Sequence, residues 1–250
     1  MERGEVNPES RDNCGRTPLS YATDAYGGEG VVKLLLGREG VNPESRDNPG
    51  RTPLSYATSA NVDEEVVKLL LEREKVNPEL RDNEGRTPLS YAASAPAGEG
   101  TIMLLLEREE VNPELRDNEG RTPLSYAASA DDGEAVAKLL LKREEVNPES
   151  RDNEGRTPLS YAASADDGEV VAKLLLEQEG VNPESRDNEG RTPLFYAAEC
   201  GTEEIVQLFL QRGEVDLESR DYSGQTPPPY AAESGSEERL NSKRRRLNHG

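Results

Sequence analysis

The chain has 250 residues, of which 33% are hydrophobic, 32% charged and none Trp, and its formal net charge is −20. That is lean for a single globular core, yet sufficient for a fold whose units each bury a narrow seam; only periodicity separates such a chain from a disordered one. Arg239 to Gly250 holds five of the 30 basic residues and none of the 50 acidic ones, leaving 25 basic against 50 acidic residues in 1–238, so phosphate-rich nucleic acid is a poor partner for the body and basic proteins or segments are better ones.

From the first residue the chain is periodic. MERGEVNPESRD at the start is an altered copy of the stretch ending at Asp187, LEQEGVNPESRD, so that Met1 falls on Leu176, the last leucine of a helical run. Residues 1–11 therefore read as the end of a repeat. G-R-T-P-L follows at Gly15, Gly50, Gly85, Gly120, Gly155 and Gly190, with GQTPP at Gly224, at a spacing of 35 residues and finally 34. A fixed period of this length marks stacked repeats. Counted from the Asp of D-N-x-G, repeats 1 to 6 span 12–46, 47–81, 82–116, 117–151, 152–186 and 187–220. Residues 221–238 form a seventh, degenerate capping repeat, and 239–250 a basic tail.

Within residues 152–186, Asp-Asn-x-Gly is a turn, its Asx side chains bonding nearby backbone while Gly155 supplies positive φ. Thr157 reads as an N-cap and Pro158 as N1 of a short helix through Leu159, Tyr161, Ala162 and Ala163. Asp166-Asp167-Gly168 breaks it. A second helix follows, with Val170, Val171, Leu174 and Leu175 expected on one stripe, and VNPESR returns as a loop. Neither helix alone buries enough to be stable, so the units must stack. Towards the end the pattern decays: Pro227-Pro228-Pro229 loses the buried leucine.

The pattern D-x-x-G-x-T-P-L-x-x-A-A … V-V-x-L-L-L … V-N resembles the ankyrin repeat over essentially residues 1–235, and its RTPLSYAA flavour resembles arrays common in fungal proteins. The resemblance implies an all-α solenoid of about seven L-shaped helix-turn-helix units with β-turn fingers. It also implies protein binding through a concave surface of fingers and first helices. The family's histidine after T-P-L is replaced by Ser20, Ser55, Ser90, Ser125 and Ser160, then Phe195 and Pro229, which predicts a looser array at that point.

Little in the chain points to catalysis. The only histidine is His249, so no histidine triad or zinc site can be built around it. Cys14 and Cys200 are five repeats apart and too few for a disulfide framework. The D-N-x-G turn lacks the alternating ligands of a calcium loop, and no cofactor is expected. No apolar run approaches 18 residues, and the expected place is the cytoplasm or nucleus. Lys243, Arg244, Arg245 and Arg246 read either as a solvated basic tail that caps the solenoid or pairs with Glu237 and Glu238, or as a short nuclear import signal.

Variation between repeats marks the expected partner surface. Fingertips differ at Cys14, Pro49, Glu84, Glu119, Glu154 and Glu189, beside finger residues such as Arg16 and Arg51. Tyr26 lies in the first inter-helix loop, and Leu80 and Leu115 replace a Ser in otherwise identical return loops. The leading expectation is a non-catalytic scaffold whose acidic groove takes a basic protein. The alternative is a C-terminal sensor or autoinhibitory array of a longer, NLR-like signalling protein. Repeat 1 keeps the full apolar set (Leu19, Tyr21, Val31, Val32, Leu34, Leu35 and Leu36), so its outer face is expected to meet a further repeat or another surface.

Overall fold

A computed structural model of the protein describes residues 7–59, 64–96, 98–212 and 215–227. Among these residues all regular structure is helical, in twelve short helices. The chain divides into two compact units, Met1–Asn147 and Pro148–Gly250, built on the same internal plan.

The first unit holds four helix pairs: α1 (Pro18–Thr23) with α2 (Glu29–Leu36), α3 (Pro53–Ser59) with α4 (Glu64–Leu71), α5 (Pro88–Ser94) with α6 (Glu99–Leu106), and α7 (Pro123–Ser129) with α8 (Glu134–Leu141). α1, α3, α5 and α7 pack in sequence as an inner row, and α2, α4, α6 and α8 as an outer row. The second unit repeats this with α9 (Pro158–Ser164) and α10 (Glu169–Leu176), then α11 (Pro193–Cys200) and α12 (Glu203–Arg212), α9 packing on α11 and α10 on α12.

Each inner helix starts where the sequence places its cap. Thr17, Thr87, Thr122 and Thr157 are extended residues whose hydroxyls accept the N–H of the Ser three places on, with Pro at the first helical position. That Ser stands where the family's histidine would, and it closes the cap locally. Thr and Ser hydroxyls lie 3.2–3.3 Å apart, both buried. The first leucine of each inner helix (Leu19, Leu54, Leu89, Leu124, Leu159 and Leu194) is buried, and alanines such as Ala92, Ala127 and Ala162 let neighbouring helices approach. Burying one leucine contributes about 1.5–3 kcal/mol; a lone pair of such short helices would not hold.

Glycine sets the hinge between the two helices. Gly98, Gly133 and Gly168 start the outer helices directly over the inner ones, where a Cβ would lie 1.8–2.2 Å from the carbonyl oxygens of Ala92, Ala127 and Ala162. The stripe that the outer helix buries is rotated by one residue from the sequence expectation. In α10 the buried residues are Val171, Ala172, Leu175 and Leu176, whereas Val170 is exposed. The register of Ala172 is buried in other outer helices too, at Val32, Val67 and Ile102, so the stripe is set by the position in the repeat and not by the size of Ala172.

Finger and inner-helix face as the candidate partner-binding site

Between repeats the turns stack as fingers, held by three ladders of hydrogen bonds. Within the first unit, the backbone N–H groups of Asn48, Asn83 and Asn118 donate at 2.9 Å to the fingertip carbonyls of Cys14, Pro49 and Glu84. Their side-chain amides donate to the carbonyls of Asn13, Asn48 and Asn83 at 2.9–3.0 Å. In the second unit Asn188 does the same to Glu154 and Asn153, and Tyr222 N–H reaches Glu189 O. A second ladder runs through arginines: Arg46 donates to Arg81 O, Arg81 to Arg116 O, and Arg186 to Arg220 O. In the third, the return-loop carboxylates Glu44 and Glu79 accept the backbone N–H of Asn77 and Asn112. Gly85 belongs to the first ladder; its φ is +80°, and a Cβ there would lie 2.5 Å from Asn118 Oδ1.

Behind the fingertips lies a network that recurs in repeats 2 to 6. The finger Asp carboxylate (Asp47, Asp82, Asp117, Asp152, Asp187) accepts the hydroxyl of an inner-helix Tyr nine residues on, at 2.5–2.6 Å. The same carboxylate takes the Nε of an Arg four residues on, at 2.8–3.1 Å. Its other oxygen accepts the backbone N–H of that Arg. The guanidinium then lies over the Tyr ring, 4.5–5.0 Å from its centroid. Burial alone would raise the carboxyls of Asp117 and Asp152, but the Tyr and Arg hydrogen bonds outweigh it and hold them below the usual carboxylate range. Burial and the Asp hydrogen bond push Tyr56, Tyr91, Tyr126 and Tyr196 upward.

Repeat 1 departs from this arrangement. Tyr21 still donates to Asp12, but Arg16 turns away to Ser20 O and Asp24 at 3.0 and 2.8 Å. It stacks between the rings of Tyr21 and Tyr56, 4.0 Å from each.

The residues that sequence variation singles out are placed as follows. Cys14, Pro49, Glu84 and Glu119 are exposed tips of successive fingers in the first unit, and Glu154 and Glu189 hold that place in the second. Each of the four glutamates lies 3.0–3.4 Å from the finger Arg of its own repeat, so the tips carry paired charges. Arg16 and Arg51 belong to the column behind them. Tyr26 is 98% exposed. Leu80 and Leu115 sit half-buried in the return loops; at the same register Ser45 and Ser185 donate hydroxyls to Glu9 and Glu149. The substitution to Leu therefore removes one inter-repeat hydrogen bond each. Lys243, Arg244, Arg245 and Arg246 lie outside the described residues.

Sequence reasoning missed the Asp-Arg-Tyr network, although its spacing is visible as Asp-x3-Arg-x4-Tyr in six consecutive repeats. Cys14 is exposed and Cys200 half-buried, and neither forms a disulfide. Among the described residues no group of three or more His, Cys, Asp or Glu is placed to hold a metal ion, and no helix is long and apolar enough to cross a membrane.

Capped inner helices, outer helices hinged on glycine and fingers joined by backbone ladders define an ankyrin-type helical repeat module. The family model for ankyrin repeats (three copies) matches residues 21–112, 94–187 and 163–241, and the chain belongs to that family. Its members are generally protein–protein interaction modules and typically non-catalytic. Comparison with curated proteins gave no match.

Proposed function

We propose that the chain is a non-catalytic scaffold that binds a basic protein through its finger and inner-helix face. One observation carries this reading: the residues that differ most between repeats stand exposed on fingers whose backbone is locked from repeat to repeat. Such an edge is pre-organised, so binding costs little loop ordering, while the tips vary freely. The formal net charge of −20 favours a cationic partner and speeds its approach. Nucleic acid is repelled by the same field. A basic partner must compete for the fingertip glutamates with Arg86, Arg121, Arg156 and Arg191, which selects guanidinium-rich segments over isolated lysines.

The test is affinity capture with the full chain, compared with a variant carrying Glu84→Lys, Glu119→Lys and Glu154→Lys, each at low and high salt. Partners held by this face are lost at high salt and from the variant. Capture indifferent to both changes rejects the face and the charge together. We read Lys243–Arg246 as an import signal serving a scaffold that works in the nucleus as well as the cytoplasm. A fluorescent fusion with these four residues changed to alanine should leave the nucleus, and an unchanged distribution removes the assignment.

A further inference from the structure

The first repeat turns apolar side chains outward that its neighbour buries. Val31 is 52% exposed, Leu34 74% and Tyr21 50%, whereas at the same register one repeat on Val66 and Tyr56 are 0% and 3% exposed and Leu69 is half-buried. The difference arises because α3 and α4 are covered by α1 and α2. The molecule itself thus shows what fits this face: the trailing side of a repeat of the same sequence.

Polar groups tell the same story with a direction. In repeat 2, Asn48 donates its backbone N–H to Cys14 O and its side-chain amide to Asn13 O. Asn42 N–H and the Ser45 hydroxyl both reach the carboxylate of Glu9, and Arg16 covers the ring of Tyr56. The matching groups of repeat 1 are the amides of Asn13, the N–H of Asn7 and the hydroxyl of Ser10. None of them donates a hydrogen bond among the described residues. At the other end of the chain the acceptor places fall to Tyr222 O, Ser223 O and the Glu218 carboxylate. Among the described residues they accept nothing.

We propose that the exposed face of repeat 1 docks the C-terminal end of a second copy of this chain, head to tail. Donors on the leading finger edge meet acceptors on the trailing one, in the register used between internal repeats. The residues beyond that last finger bring the remaining chemistry. Arg239 to Gly250 holds five basic residues, no acidic ones, and the two large apolar residues Leu240 and Leu247. This positive segment is drawn to the acidic body of another copy, and its leucines match Val31 and Leu34. The two surfaces differ, so each added copy presents a fresh docking face.

The experiment is light scattering and sedimentation of the full 250-residue chain over a range of concentrations. Two full-length variants accompany it: a head variant, Val31→Glu with Leu34→Glu, and a tail variant, Arg244→Glu, Arg245→Glu and Arg246→Glu. Both change exposed or terminal positions, and circular dichroism verifies that each keeps its helix content. The unaltered chain should rise in mass past the dimer with concentration. Each variant alone should be monomeric. An equimolar mixture should form a one-to-one dimer, because the tail of the head variant and the head of the tail variant are both intact. Hydrogen exchange on the unaltered chain is a second readout: the amides of α2 should slow as concentration rises. A chain monomeric throughout overturns the proposal, as does α2 exchange independent of concentration. Association that stops at a dimer, is lost in the head variant and is untouched in the tail variant also overturns it, since that behaviour belongs to a two-fold contact.

Discussion

Asp82 is a fully buried carboxylate on which four donors converge: Tyr91, the Arg86 side chain, and the backbone N–H groups of Glu84 and Arg86. Removing one donor leaves a charged acceptor with three partners in place of four, and hydrogen bonds to charged groups contribute about 1.5–3 kcal/mol. Tyr91→Phe should therefore lower stability by about 1.5 kcal/mol, read as a lower urea midpoint at unchanged slope. The same change at Tyr21, half in water, should have a smaller effect. Thr192 gives the opposite case. Phe195 stands where repeats 1 to 5 place Ser, so the Thr192 hydroxyl is buried without a partner and caps nothing. Thr157, by contrast, caps α9 and meets Ser160. Thr157→Val should cost about 1 kcal/mol, whereas Thr192→Val should be neutral or stabilising. Thermal unfolding of the two variants side by side separates them.

At the scale of elements, the start of each inner helix was legible because Thr-Pro is a strong local cap whose geometry needs no partner. The turn glycines were legible too, since positive φ is a backbone matter. The face of the outer helix was less so. A run such as Val170-Val171-Ala172-Lys173-Leu174-Leu175-Leu176 is apolar nearly all round, and which side turns inward depends on what the adjacent helix offers. The finger ladders were invisible as contacts because they join residues 33–35 apart, and the Asp-Arg-Tyr network was overlooked because each member has an adequate local explanation. Gly98 has a use that spacing alone does not reveal, being pressed against Ala92 O. Gly98→Ala puts a methyl group 2.2 Å from that oxygen, closer than any real contact, and forces α6 off α5. The usual range for a single change of this kind is about 0.5–3 kcal/mol, and this variant should sit at its upper end. Amides of α6 should exchange faster than those of α4 if the damage stays local.

For the whole molecule, two electrostatic effects oppose each other as pH changes, and salt tells them apart. With a formal charge of −20 at pH 7, the folded chain repels itself. Protonating surface carboxylates as pH falls towards about 5 relieves that repulsion and stabilises the fold. The finger aspartates act in the other direction. Asp12, Asp117, Asp152 and Asp187 titrate lower in the fold than their ordinary value, which is about 3.9 in an unfolded chain. Their contribution is complete above that value and is lost as pH falls through the lower folded values, where the unfolded chain binds the protons first. The tyrosines mirror this at the alkaline end. Raised above an unfolded value of about 10, Tyr56, Tyr91, Tyr126 and Tyr196 stabilise fully below it, and their contribution is lost as pH climbs through the folded values. The melting temperature should thus rise slightly from pH 7 to about pH 5, fall steeply below about pH 4, and fall again above about pH 10. Adding salt should raise it at pH 7 and flatten the gentle slope, because exposed repulsion is screened. The acid limb should remain, since Asp117, Asp152 and Asp187 are shielded from solvent. An acid limb that disappears in salt would mean that net charge, and not the finger network, governs acid stability.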